Sequence, residues 1–220
     1  MLKSLMRIGI LGSGLMGSKL GTIFARAGHD VVFSYSHDRK KLERLAKSAK
    51  AQAGTPAEAA RSADAVLLAV HWSRVDDVLG QVGGLSGKLV LSCTLPMNKD
   101  ESRLVVGLTT SGAEALAAKV PKAHVVSAFS TAPSEVLFAV FAGRKRKTRP
   151  DLVFCGDNKK AKKTAARLIR DVGFNPVDIG DLSLARYVEP FSLLAAEIAY
   201  EGKGGPQLAY RFEHFSRKRA

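Results

Sequence analysis

Arg7-Ile8-Gly9-Ile10-Leu11-Gly12-Ser13-Gly14-Leu15-Met16-Gly17 is the stretch on which the reading of this chain turns. The run Leu5–Leu11, apolar but for Arg7 and without alternation, predicts a strand covered on both faces, as in a parallel sheet. Glycines interrupt it, and Leu15–Ala27 reads as a helix closed by Gly28-His29. Gly12 permits a tight strand-to-helix turn, Gly14 lets backbone approach a diphosphate, and Gly17 lets the helix pack close on the strand. The helix start then offers unpaired N–H groups and the positive end of its dipole to phosphate. Gly12, Ser13, Gly14, Leu15, Met16 and Gly17 are therefore candidate cofactor-binding residues of a Rossmann-type dinucleotide site.

The next strand, Asp30–Tyr35, sharpens the choice of cofactor. NAD-type sites place an acidic residue at its end to hold the ribose 2′-hydroxyl. Here Ser34-Tyr35-Ser36-His37 brings no carboxylate before Asp38, and Arg39, Lys40 and Lys41 follow at once. A carboxylate repels a 2′-phosphate, whereas hydroxyls and cations bind it. The pattern points to NADP(H), with Ser36, Arg39 and Lys40 as candidate contacts; the plainer role for these residues is an exposed helix start.

Working outward, Asp38–Lys50 reads as a charged helix, and Thr55–Ala63 as a short one with Pro56 at its first position. Ala65–Val70 and Lys88–Cys93 read as strands flanking a helix from Trp72 to Gln81. Ser111-Gly112-Ala113-Glu114 has capping-box spacing and opens a helix to Val120, followed by a strand at His124–Phe129. Strands alternating with helices predict an α/β fold, a doubly wound, mostly parallel sheet. The basic loop Gly143–Pro150 marks a break, dividing residues 1–150, an NADP-binding domain, from a small C-terminal α/β segment, 151–220. That segment reads as a strand (Leu152–Cys155), a lysine-rich helix (Asn158–Val172), a strand (Pro176–Ile179) and a long apolar helical stretch, Leu182–Tyr200. Pro190 is expected to kink or split that helix, and the tail after Ser216 to fray.

The composition, 25% charged and 46% hydrophobic over 220 residues, is that of a globular protein. No apolar run reaches the ~20 residues that span a bilayer, and Met1–Met6 makes a poor secretory signal. Cys93 and Cys155 are isolated, as suits a reducing cytosol, so the expected location is cytoplasmic and no metal site is expected. His29, His124 and His214 have no metal-ligand spacing. The net charge of +14 gathers in runs such as Arg144-Lys145-Arg146-Lys147, Lys159-Lys160 with Lys162-Lys163, and Arg217-Lys218-Arg219. These are either solvated faces or a field that collects anionic ligands. Aromatics are 7%, too sparse for a base-stacking platform, and no nucleic-acid partner is expected.

Beyond the glycine loop, four stretches resemble the NADPH-dependent reductases of the deazaflavin coenzyme F420. They are Ala69-Val70-His71-Trp72, Val125-Val126-Ser127-Ala128-Phe129-Ser130-Thr131-Ala132-Pro133, Val153-Phe154-Cys155-Gly156-Asp157, and Asp181–Glu189 with Leu182, Ser183, Arg186 and Glu189. The resemblance covers roughly Arg7 to Phe215. It implies direct hydride transfer between NADP(H) and the deazaflavin in a cleft capped by C-terminal helices, and a homodimer using part of Leu182–Tyr200. It places Val70, His71, Ala128, Ser130 and Pro133 beside the cofactor and assigns no catalytic side chain, since the carriers perform the chemistry. Two departures touch the acceptor side: Ser130 stands where archaeal-type members have histidine, and Phe138–Thr148 ends in a basic run. A flavin or small carbonyl compound is therefore an alternative acceptor, and a non-catalytic NADP(H)-sensing module an alternative function. An imine or 3-hydroxyacid reductase needs a longer helical C-terminal domain than the 40 residues after Gly180. Arg186 and Glu189, i and i+3 on one helix, are expected to pair with each other, and Asp157 and Lys159 to begin the following helix.

Overall fold

The computed structural model describes residues 5–215. Met1–Ser4, the Arg217-Lys218-Arg219 run and the tail expected to fray lie outside the described residues. Eight strands alternate with eight α-helices: β1 (Arg7–Leu11), α1 (Leu15–Arg26), β2 (Asp30–Ser34), α2 (Arg39–Ala49), β3 (Gln52–Ala53), α3 (Pro56–Arg61), β4 (Ala65–Leu68), α4 (Val75–Val82), β5 (Leu89–Ser92), α5 (Gly112–Lys119), β6 (His124–Ser127), α6 (Leu137–Ala142), β7 (Asp151–Gly156), α7 (Lys159–Val172), β8 (Asn175–Asp178) and α8 (Ala185–Tyr200). They form one sheet in the order β3-β2-β1-β4-β5-β6-β7-β8. All neighbours are parallel except β6 and β7, which meet antiparallel at Val126↔Gly156 and Ser127↔Cys155. The doubly wound α/β architecture is as expected, and the sheet runs without a gap across residue 150.

Alternating strand residues feed two cores. Ile8, Ile10, Phe33 and Leu67 pack under α1, α2, α6 and α7, while Leu11, Val66, Leu68 and Val90 pack under α3, α4, α5 and α8. Both faces are covered, which is why the strands read as unbroken apolar runs. Helix ends follow local chemistry. Thr55 and Glu58 form a reciprocal capping box on α3, and Ser111 accepts from the Glu114 N–H on α5.

Several boundaries differ from the sequence reading. The expected helix from Trp72 to Gln81 is a 3₁₀ turn, Trp72–Arg74, followed by α4. The strand expected to reach Tyr35 stops at Ser34, because Tyr35 turns to a left-handed φ of 58°. Likewise the strand expected to reach Phe129 stops at Ser127, and Phe129 has φ 69°. β3 and α6 were not anticipated. Pro190 does not split α8, which runs unbroken from Ala185 to Tyr200.

The chain's last described stretch returns to the top of β7. The Asp151 N–H donates to the Tyr210 carbonyl at 2.8 Å, and the Phe212 N–H donates to the Asp151 carboxylate at 2.7 Å. The Tyr210 hydroxyl accepts from the Val153 N–H at 3.0 Å and bonds the Thr131 hydroxyl at 2.8 Å. The Asp151 carboxylate is buried, and the Phe212 N–H and the Asn175 side-chain amide, at 2.6 Å, satisfy a group that would otherwise be costly.

Candidate functional site

The sheet order reverses direction at β1, whose neighbours are β2 on one side and β4 on the other. In open parallel sheets the ligand crevice forms at the strand ends beside such a reversal. Gly12 leaves β1 with φ 111°, and a Cβ there would lie 2.3 Å from the Ala69 carbonyl oxygen beyond β4. A Cβ on Gly17 would lie 1.8 Å from the Gly12 carbonyl oxygen. These two glycines thus let loop, helix and neighbouring strand close on one another.

Gly14 is different. It has no atom within 4 Å of where its Cβ would stand, and its φ of −71° is ordinary. It is the N-cap of α1, no side chain caps that helix end, and no acidic residue lies in the first turn. Open space in front of unpaired N–H groups at a positive dipole end fits a diphosphate. Leu15 beside it is exposed, Met16 half-buried, and the Ser13 hydroxyl makes a long 3.5 Å bond to the Tyr35 carbonyl.

Beyond β2 a cleft of about 280 Å³ is lined by Tyr35, Ser36, His37, Arg39, Thr55 and Asp77, among others. The Asp38 carboxylate, the one acidic group near this strand end in the sequence, accepts from the Lys41 N–H and so caps α2. Ser36 receives the Asp38 N–H at 3.3 Å. Arg39 lines the cleft while bonded to Glu43 at 2.8 Å, both largely exposed. Lys40 is exposed on α2 and does not line the cleft. Asp77 was not foreseen. It accepts a short hydrogen bond from the Tyr35 hydroxyl and another from Gln81 at 3.2 Å. Burial first, and the Asp77 bond second, push the Tyr35 phenol up to about 12, and that bond holds the Asp77 carboxyl below its usual range.

The other half of the crevice comes from the ends of β4 and β6. The Val70 carbonyl accepts from the Thr94 hydroxyl at 3.1 Å. His71 starts the 3₁₀ turn, with Nδ1 2.8 Å from the Ser73 hydroxyl and Nε2 3.3 Å from the Asn98 carbonyl. Its ring is therefore engaged in shaping the loop. Ala128 is buried, its N–H on the Ser92 carbonyl at 3.0 Å. The left-handed Phe129 is held by edge-to-face packing between Phe24 and Phe174, both centroids 6.5 Å away. Ser130 and Ser192 bring their hydroxyls to 3.2 Å, which joins this loop to α8. After Pro133, Ser134 accepts from Lys19 of α1 at 2.9 Å, and Glu135 accepts from the Tyr200 hydroxyl at 2.9 Å. Lys19 and Tyr200 carried no signal in the sequence. They lie 115 and 65 residues from these partners.

One expectation is overturned. Arg186 and Glu189 do not pair. Arg186 forks onto Glu114 at 2.6 and 2.9 Å, while Glu189 accepts the Gly112 and Ala113 N–H groups at 2.9 and 3.0 Å. Both reach across to the start of α5: Glu189 accepts its free N–H groups, and Arg186 donates to the Glu114 carboxylate of its first turn. Burial pushes the Glu189 carboxyl up to about 7. Arg186→Ala should lower the urea midpoint only slightly, because both partners are partly exposed. Lys159 begins α7 as expected, whereas Asp157 stands before the N-cap, Asn158, and accepts the Leu182 N–H at 2.8 Å. Among the described residues no group of three His, Cys, Asp or Glu could hold a metal. Cys93 and Cys155 are buried, and burial pushes both thiols up to about 12.

Residues 7–96, from β1 past the end of β5, match the family model described as NADP oxidoreductase, coenzyme F420-dependent. The match spans less than half of the chain. The chain is also similar to metalloreductase STEAP3 of Rattus norvegicus, 32% identical over 187 residues, covering 85% of this chain and 36% of that protein. The chain thus spans little more than a third of the length of that relative. Among solved structures, a protein of Arthrobacter sp. FB24 proposed to be an F420-dependent NADP-reductase superposes with a TM-score of 0.84 at 22% identity, covering 95% of this chain and all of that one. An imine reductase of Aspergillus terreus in complex with NADPH4 gives 0.64 at 17% identity, over 88% of this chain and 62% of that one. These two likenesses speak for the fold alone.

Proposed function

We propose that the protein is an NADP(H)-dependent oxidoreductase that moves hydride between the nicotinamide and a small acceptor, coenzyme F420 or a similar carrier. The observation that carries this reading is the open, uncapped start of α1 at Gly14, set where the sheet order reverses and flanked by the cleft of Ser36 and Arg39. The family match and the likeness to an NADPH4-bound structure support NADP(H) as the cofactor. When bound, the nicotinamide supplies the hydride chemistry. The protein orients it and excludes water. Gly12 and Gly17 fix the loop against β4, the backbone at Gly14 leaves room for the diphosphate, and Val70 with the 128–133 loop walls the acceptor side. Thr131, Ser130 and Lys19 are each fastened to another element, so this wall is preorganised.

The experiment mixes the purified protein with NADPH and oxidised deazaflavin coenzyme and follows loss of the deazaflavin absorbance, with NADH as control. Rapid loss with NADPH alone supports the reading; intact NADPH binding without loss rejects the acceptor. The 32% identity to a metalloreductase favours adding a flavin with a ferric chelate as a parallel acceptor. A hydride carries two electrons and ferric iron takes one, so a carrier such as a flavin would have to divide them. Arg39→Ala should weaken NADPH about tenfold and leave NADH nearly unchanged, consistent with loss of one charge-assisted contact to the 2′-phosphate. Equal Kd values for NADPH and NADH in the parent protein would reject the assignment of Ser36 and Arg39. The exposed side chains of Tyr187, Leu194 and Ile198 on α8 support a homodimer, testable by sedimentation velocity.

A further inference from the structure

A second opening lies at the far edge of the sheet. Lys159, Lys163, Ala166 and Arg170 recur at i, i+4, i+7 and i+11 of α7, so they share one face. With Lys162 and Asp178 of the edge strand β8 they border a cleft of about 420 Å³. β8 is five strands from β1 in the sheet order. At ~4.8 Å per strand that is about 24 Å from the glycine loop's strand.

Two features set this cleft apart from an ordinary solvated helix face. Lys162 is already engaged, 3.1 Å from the Asp178 carboxylate and 3.2 Å from the Gly180 carbonyl. The side chains of Lys159, Lys163 and Arg170 are exposed and enter no ion pair with the described residues. Moreover, α7 opens on Lys159-Lys160 with no acidic residue in its first turn. Cations at that end oppose the helix dipole. Among the described residues, the other helix that opens on consecutive cations is α2, beside the cleft assigned above to the 2′-phosphate. At the middle of the α7 face Ala166 is small, which leaves depth between the cations.

We propose that this cleft is a separate anion site for a compact ligand bearing at least two phosphate groups. The cations extend over eleven residues of helix, about 16 Å, which one phosphate does not span. The cleft has the volume of a small-ligand site, and Phe154, the aromatic in its lining, is only 2% exposed and offers no face for stacking, which argues for a compact polyphosphorylated group over a nucleic acid. Such a group occurs on soluble metabolites and on membrane lipid headgroups. The site shares no residue with the cofactor crevice, so it stands independently of the hydride reading.

Tripolyphosphate titrated into the ¹⁵N-labelled chain should shift amide signals of residues 159–170. Lys163→Glu with Arg170→Glu should weaken that binding by at least about tenfold, as loss of two charge-assisted contacts requires. Lys163→Gln with Arg170→Gln should give a smaller loss. Arg44→Glu with Lys47→Glu, the same change of charge on exposed positions of α2, should leave it within about twofold if contact and not net charge governs binding. Shifts confined to the glycine loop, or equal weakening by the α2 and α7 reversals, would overturn the proposal. Vesicles of phosphatidylcholine with and without a phosphatidylinositol bisphosphate separate the two sources. Co-sedimentation lost in the α7 variant and displaced by tripolyphosphate assigns a lipid headgroup. Tripolyphosphate binding without co-sedimentation assigns a soluble ligand, and absence of both rejects the site.

Discussion

Gly17→Ala is expected to destabilise the protein by more than about 3 kcal/mol, whereas Gly14→Ala, three residues earlier, should leave stability within about 0.5 kcal/mol. The difference lies in what a methyl group meets. At Gly17 it would stand 1.8 Å from the Gly12 carbonyl oxygen, backbone that cannot move without opening the turn between β1 and α1. At Gly14 it would meet no protein atom within 4 Å. The cost of Gly14→Ala should therefore fall on the ligand. A methyl group between the α1 N–H groups and a diphosphate would forfeit about two charge-assisted hydrogen bonds, roughly 3 kcal/mol or a hundredfold in NADPH affinity. Thermal melts and NADPH titrations of both variants check this pair. If Gly14→Ala melts as early as Gly17→Ala, or binds NADPH normally, the space at Gly14 does not belong to the diphosphate.

Glu189→Ala should cost about 3 kcal/mol, because the buried Gly112 and Ala113 N–H groups would both lose their acceptor. In a chain of this length that lowers Tm by about 6–12 °C. A pH dependence follows from the same carboxyl. Its pKa rises from 4.5 to about 7 on folding, as burial outweighs the two N–H bonds. Between those values the folded protein holds a proton that the unfolded chain has released, so stability falls as pH rises from about 4.5 to 7. The Glu189 contribution is largest at the acid end and levels off above pH 7. Comparing Tm of the parent and Glu189→Gln from pH 5 to 8 isolates it: the parent's advantage should shrink as pH rises. A constant difference would mean that the carboxylate is ionised throughout.

The parts of this fold that were legible in the sequence are those whose cause is local. The turn at Gly12, the helix start at Pro56, the cap at Ser111 and the buried runs of β4 and β5 each depend on residues within a few positions. α6 escaped notice because Leu137–Ala142 is apolar on every side and so has no helical period. β3 is two residues long and is held by its pairing with β2. The direction of β7 has no local signature, since it is set by how the preceding connection turns back. For the candidate site, the close approaches at Gly12 and Gly17 were readable from the glycine spacing. The acceptor half was not: Lys19–Ser134, Ser130–Ser192 and Thr131–Tyr210 join residues 62 to 115 positions apart. Arg186 and Glu189 were singled out correctly but given each other as partners, because helical spacing is visible in a sequence and the start of a distant helix is not.

The Tyr210 seam also sets an order of events while the chain is being made. Thr131, on the acceptor-side loop, waits for a partner 79 residues later. At about 5–20 residues per second that is roughly 4–16 s of synthesis. Through that interval the strands up to β6 can already be paired, while the buried Asp151 carboxylate at the head of β7 still lacks the Phe212 N–H it will accept. On the ribosome the glycine turn and the strands beside it can thus form well before the loop at Thr131 is fastened.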